Sequence, residues 1–133
     1  MKKIIFLCVI LSCLCTACNH KGQIYFYNQP VTNLTAMHPA HVFEAGRKIY
    51  YLYFNEKKDF KTDYIRVKVI KAYDKTNTGG YSVIYTKDYR LMDGERRYHT
   101  DYFVIYEKGH YIMQVYAIDN FDQDIGFGEF YIQ

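Results

Sequence analysis

The chain has 133 residues, the size of one domain, and carries 17 basic and 14 acidic side chains for a formal net charge of +3. All four cysteines, Cys8, Cys13, Cys15 and Cys18, lie in the first eighteen residues, and all sixteen tyrosines follow them. This excludes a second sizeable domain and, beyond Cys18, a disulfide framework or a cysteine-ligated zinc site. No basic run in the body exceeds the pairs Lys57-Lys58 and Arg96-Arg97, so the electrostatic footprint of a nucleic-acid-binding protein is missing.

The first element is a leader. Lys2 and Lys3 are followed by an apolar run from Ile4 to Leu14 and by the small pair Thr16-Ala17. Eleven apolar residues are about half of what a membrane-spanning helix needs, so residues 1–17 read as a signal peptide. Leu14-Cys15-Thr16-Ala17-Cys18 resembles a bacterial lipobox, although Cys15 stands where an aliphatic residue is usual. The resemblance implies cleavage before Cys18 and a thioether-linked diacylglycerol on its sulfur, with residues 18–22 as a short tether. At about 0.8 kcal/mol per buried methylene, two or three acyl chains hold a protein at a membrane without spanning it. Asn19 follows the cysteine instead of the Asp known as an inner-membrane retention signal, which favours an outer membrane as the site within the cell envelope. Without Lys2 and Lys3 the formal charge falls to +1.

Downstream, runs rich in Tyr, Ile, Val and Phe alternate with short polar turns, and no helical period persists beyond two turns. The pattern predicts strands at Gln23–Tyr27, Lys48–Phe54, Tyr64–Tyr73, Tyr81–Thr86, Thr100–Tyr106, Tyr111–Ile118 and Gly126–Ile132, with extended segments at Val31–Leu34 and Val42–Phe43. Turn residues separate them, among them Ala45-Gly46, Asp93-Gly94, Lys108-Gly109 and the stretch Asp119–Asp124. Seven strands in about 110 residues give an all-β, single antiparallel β-sandwich spanning residues 23–133. Ile65, Val67 and Val69 share one face of their strand, and Val69-Ile70 breaks the alternation as a bulge does. Ile49–Phe54 is apolar on both faces, as in a central strand or one whose outer face meets something else.

Glu107-Lys108-Gly109-His110-Tyr111-Ile112-Met113 resembles the Asp-x-Gly-x-Tyr-x-Cys segment that opens strand F of immunoglobulin-like domains. The resemblance implies that the Tyr111 hydroxyl bonds back to the chain and that Met113 takes the core position of the cysteine. The chain has no tryptophan and no cysteine pair in the body, so an antibody-type domain is excluded.

Candidate sites are few. Asp119, Asp122 and Asp124 supply three carboxylates suited to Ca²⁺, a hard cation, but lack the EF-hand spacing, so a solvated turn explains them as well. His38, His41 and Glu44 have zinc-ligand spacing only on a helix, which Pro39 disfavours. His99 and Asp101 project to one face of a strand and suit a hydrogen bond, but the body's only serine, Ser82, has no nucleophile-elbow context. Asn33-Leu34-Thr35 fits a glycosylation sequon that has no expected use in a bacterial lipoprotein.

Tyrosine is abundant beyond the needs of one core. Its rigid ring and polar tip suit contact surfaces, and Tyr50, Tyr85, Tyr106 and Tyr116 are the expected exposed members. Tyr also simply favours strands. The residues therefore predict a lipid-anchored envelope module that is not an enzyme, has no cofactor beyond the lipid, and binds an envelope or extracellular protein. The alternative is a carbohydrate or small-ligand module that uses the acidic turn for Ca²⁺.

Overall fold

The computed structural model describes residues 22–32, 38–55, 62–72, 81–93, 95 and 97–133, with 120–125 described by backbone alone. The leader, Cys18, Asn33 and Leu34 lie outside the described residues. The elements are β1 (Gly22–Tyr27), β2 (Val42–Phe43), β3 (Lys48–Phe54), β4 (Tyr64–Ala72), β5 (Ser82–Arg90), β6 (Tyr98–Val104), β7 (Gly109–Ala117) and β8 (Asn120–Ile132). Hydrogen bonding runs in the order β5-β4-β7-β8-β1-β3-β6, and β2 pairs in parallel with the end of β8. The two halves of this path fold face to face, with β1, β3 and β6 on one side and β5, β4, β7 and β8 on the other. Their inward residues form one core, including Ile24, Tyr51 and Phe103 from the first half and Val67, Met113 and Phe130 from the second.

The halves join where β1 meets β8 over two parallel pairs, Gly22↔Gly126 and Gln23↔Phe127. Glycine is required there because a Cβ on either Gly22 or Gly126 would lie 2.3 Å from the fully buried Tyr53 ring. Phe130 links the layers. Its ring lies 4.8 Å from Phe26, 6.2 Å from Phe43, 5.5 Å from Phe103 and 5.5 Å from Tyr111, centroid to centroid. Edge and offset contacts of this kind add to the stabilisation from area burial alone.

The Tyr111 hydroxyl donates to the Glu107 carbonyl at 2.6 Å, and the Glu107 carboxylate pairs with Lys71, so the turn into β7 is tied from two sides. Gly109 precedes it at φ 153°, and Met113 is fully buried. These features, with β1 and β2 split between the layers, make the molecule an immunoglobulin-like β-sandwich. The expected bulge lies at Val69/Ile70, but the extra residue is Ile84 on the partner strand, since Val69 faces Tyr85 and Ile70 faces Val83.

Several boundaries differ from the sequence reading. β1 starts at Gly22, β5 at Ser82 and β7 runs Gly109–Ala117, each one or two residues from its expected end, and the larger differences have identifiable causes. β5 continues to Arg90 because its charged half is paired: the Arg66 guanidinium grips Asp88 with two hydrogen bonds, at 2.7 and 2.8 Å. β6 is displaced to Tyr98–Val104, since the Ile105 carbonyl accepts from the Gly46 amide of the β2–β3 turn, 2.8 Å away. β8 begins at Asn120, so Asp119 ends a two-residue turn and the rest of Asp119–Asp124 is irregularly paired strand, where Tyr116 faces Asp124 and Ala117 faces Asn120. Val31 and Thr32 are not in a strand.

Truncating the hub, Phe130→Ala, is expected to cost about 3–5 kcal/mol in chemical denaturation. Tyr111→Phe, which removes one hydrogen bond and leaves the ring in place, is expected to cost about 1 kcal/mol. Equal small effects for both variants would show that neither contact holds the layers together.

Candidate functional site

The tyrosines singled out in the sequence are dispersed, three over different parts of the surface and one turned inward. Tyr50 lies on the outer face of β3, half-buried, with its ring 5.6 Å from Tyr102. Tyr85 turns inward from β5 and packs 5.7 Å from Phe103. Tyr106, 80% exposed, stands in the β6–β7 connection beside Gly46. Tyr116 lies on the opposite outer face, under the Lys68 ammonium. No single contact surface joins these four.

A different set of tyrosines does converge. The register of β1, β3 and β6 aligns the outward residues in three rows: Gln23–Phe54–Tyr98, Tyr25–Leu52–Thr100 and Tyr27–Tyr50–Tyr102. Seven of these nine positions are aromatic or leucine, and none is charged. Leu52 and Tyr27 are buried within the patch, while Tyr98 and Tyr102 remain 44% and 43% exposed. The other outer face has the opposite character, with Arg66, Lys68, Asp88 and Glu129 among its residues and with cross-strand ion pairs. The apolar-on-both-faces pattern of Ile49–Phe54 was the sequence signal for this patch. Tyr25, Tyr98 and Tyr102 gave no separate signal, because their common face depends on register.

At the far end of this patch an open groove of about 670 Å³ is lined by Asn28, Gln29, Glu44, Arg47 and Tyr50, among others. Lys48 crosses from it to the Tyr102 ring, its ammonium 4.3 Å from the centroid.

The two ends of the hydrogen-bonding path, β5 and β6, approach each other across the interior and form a polar seam. Asp101 accepts from the Tyr89 hydroxyl at 2.7 Å and from the Lys87 ammonium at 3.0 Å. Tyr85 and Tyr89 share a hydroxyl contact of 3.2 Å. Burial pushes the Asp101 carboxyl upward, but hydrogen bonds from Tyr89, Lys87 and the Tyr102 backbone prevail and hold it below the usual carboxylate range. Burial raises the Tyr51 and Tyr89 phenols far above their ordinary value, so both remain protonated.

His99 shares the inward face with Asp101, as its spacing predicted, yet the two do not bond. Its ring is 7% exposed and packs 4.2 Å from Tyr89, and neither nitrogen has a hydrogen-bond partner among the described residues. The buried Tyr51 hydroxyl is likewise unpartnered among them. Burial lowers the His99 pKa, opposed by Glu95 and Asp101 and assisted by Lys87. Ser82 begins β5 and so lies about 23 Å along the strand from Tyr89, which removes it from His99.

The remaining candidates disperse. His41 approaches the Glu129 carbonyl at 3.5 Å and Glu44 pairs with Arg47 at 3.5 Å, while His38 stands exposed. Asp119 is exposed in its turn, and the side chains of Asp122 and Asp124 lie outside those described. Among the described residues no three His, Cys, Asp or Glu side chains are grouped to hold a metal.

No protein-family model and no curated protein matches the chain. Among solved structures it is similar to the soluble domain of PmoD from Methylocystis sp. ATCC 49242 (Rockwell), at 13% identity and TM-score 0.52, covering 83% of this chain and 89% of that one. An immunoglobulin-like protein from Pseudomonas aeruginosa matches at 11% identity and TM-score 0.49, over 85% of this chain and 90% of that one. The likeness to the PmoD domain is one of fold.

Since the His99 pKa is depressed on folding, the unfolded chain binds its proton first. The stability this neutral histidine permits is complete above the unfolded value near 6.5 and is lost as pH falls through the lower folded value. His99→Phe is therefore expected to flatten the fall in melting temperature on acidification below about pH 6.5. It should also leave the melt at pH 7 unchanged or raised, because it removes two unpaired buried nitrogens. An unaltered acid limb in the variant would assign the pH dependence elsewhere.

Proposed function

We propose that the protein is a lipid-anchored, non-catalytic module of the cell envelope that binds a protein partner by adding one of the partner's strands to the β5 edge. The observation that carries this reading is the state of that edge. β5 has nine residues and ends the hydrogen-bonding path, pairing only with β4 among the described residues. Its first half, Ser82-Val83-Ile84-Tyr85-Thr86, is uncharged, with Val83 54% and Ile84 37% exposed. Edge strands are ordinarily blunted by inward charges or lysine. β6 and the second half of β5 follow that rule through Asp101 and Lys87, whereas the first half of β5 carries no charge and has only the bulge at Ile84 to interrupt it. An unpaired, β-branched edge supplies main-chain bonds for affinity and side chains for selectivity.

The anchor rests on the lipobox, with Cys18 as the acylated residue and an outer membrane as the favoured location. No cofactor beyond the lipid enters this reading. A second reading, recognition of a carbohydrate or other small polar ligand, is favoured by the groove at Tyr50, where amides, the Glu44 carboxylate and two basic side chains surround the tyrosine ring. The acidic segment Asp119, Asp122 and Asp124 would make such binding sensitive to EDTA.

The two readings separate on one experiment. A photo-crosslinker at Val83 in the native envelope is expected to yield a defined protein adduct, which Ile84→Lys abolishes without lowering the melting temperature. Glycan binding lost on Tyr50→Ala, with no adduct at Val83, would replace the first reading by the second.

A further inference from the structure

The uncharged aromatic face of β1, β3 and β6 has an occupant that the tether selects. Building on the anchor at Cys18, we infer that this face lies flat on the lipid surface that holds the chain, with Tyr98 and Tyr102 at headgroup depth.

Three observations converge. Four residue steps from Cys18 to Gly22 span at most about 14 Å, so the start of β1 cannot leave the vicinity of the bilayer. β1 belongs to the aromatic half of the sandwich; its outward Tyr25 and Tyr27 are packed into the patch with Val31, so the rings the face presents outward are Tyr98 and Tyr102 of β6. The two outer faces differ in the property that a membrane interface discriminates: one carries ion-paired Arg66, Asp88 and Glu129, and the other carries no charge over three rows. Tyrosine, with an apolar ring and a polar tip, is enriched where acyl chains meet headgroups. Lys48 borders the patch beside Tyr102, where it can meet anionic headgroups. A flat pose also leaves the β5 edge in solution, as the binding role above requires.

Because the chain contains no tryptophan, a single substitution gives a unique reporter. The full acylated protein is reconstituted in phosphatidylethanolamine–phosphatidylglycerol vesicles whose acyl chains are brominated near the headgroup. Tyr98→Trp and Tyr102→Trp are both expected to lose emission relative to unbrominated vesicles, and Tyr131→Trp, on the charged face, is expected to lose none. Hydroxyl-radical footprinting of the unsubstituted protein supplies the same readout without mutation: Tyr98 and Tyr102 protected on vesicles, Tyr131 labelled. Loss at Tyr98→Trp alone would mean that the domain stands on its tethered end, and loss at neither would mean that the face stays off the lipid; either result overturns the inference while the anchor stands. Absence of acyl mass on Cys18 overturns the anchor and this inference together.

Discussion

Everything in this molecule depends on the contact of the Phe130 ring with rings from both layers. A sandwich of this size without a cross-sheet disulfide has to hold its halves by packing, and Phe130 touches Phe26, Phe43, Phe103 and Tyr111 at once. The glycine pair Gly22 and Gly126 allows the halves to come together at all, because the Tyr53 ring occupies the space that two Cβ atoms would need. Aromatic bulk in the core and its absence at the seam are therefore one design. Large rings fill the gap between sheets, and small residues let the strands close around them.

The same economy shapes the surfaces. Register places seven aromatic or leucine side chains on one outer face and charged pairs on the other, so the sandwich is polarised across its thickness. The edges differ as well. Asp101 and Lys87 turn inward and meet across the open side of the sandwich, protecting β6 and half of β5, and the remainder of β5 is uncharged and has no second strand neighbour among the described residues. Under the proposed reading, one face, one edge and an acylated Cys18 would take three distinct roles in a body with no recognisable catalytic grouping among its described residues.

Much of the fold was legible in the sequence because its signals are local. The Gly109–Tyr111–Met113 spacing located the corner and its hydrogen bond, and the doubled apolar positions Val69-Ile70 located a bulge, though on the strand opposite the one that carries the extra residue. Strand ends were less legible, since β5 is extended by Asp88 pairing with an arginine twenty-two positions earlier in the chain, a fact no local pattern contains. The contact surface was least legible. Tyr50 belongs to the aromatic face, but Tyr85, Tyr106 and Tyr116 do not, because membership is decided by which strand pairs with which. His99 and Asp101 were correctly placed on one face, but Asp101 bonds to residues of β5, leaving the histidine in an apolar setting that spacing alone does not reveal.

The central claim is that the uncharged half of β5 is a receptor for a partner strand while the body remains at the membrane. Hydrogen–deuterium exchange of the full acylated protein, in plain lipid vesicles and in its native envelope, tests it most directly. The account predicts that amides of residues 82–86 exchange rapidly in vesicles and become protected in the envelope. Equal exchange of that segment in both settings, with protection gained instead at residues 44–50 around the groove, would contradict it.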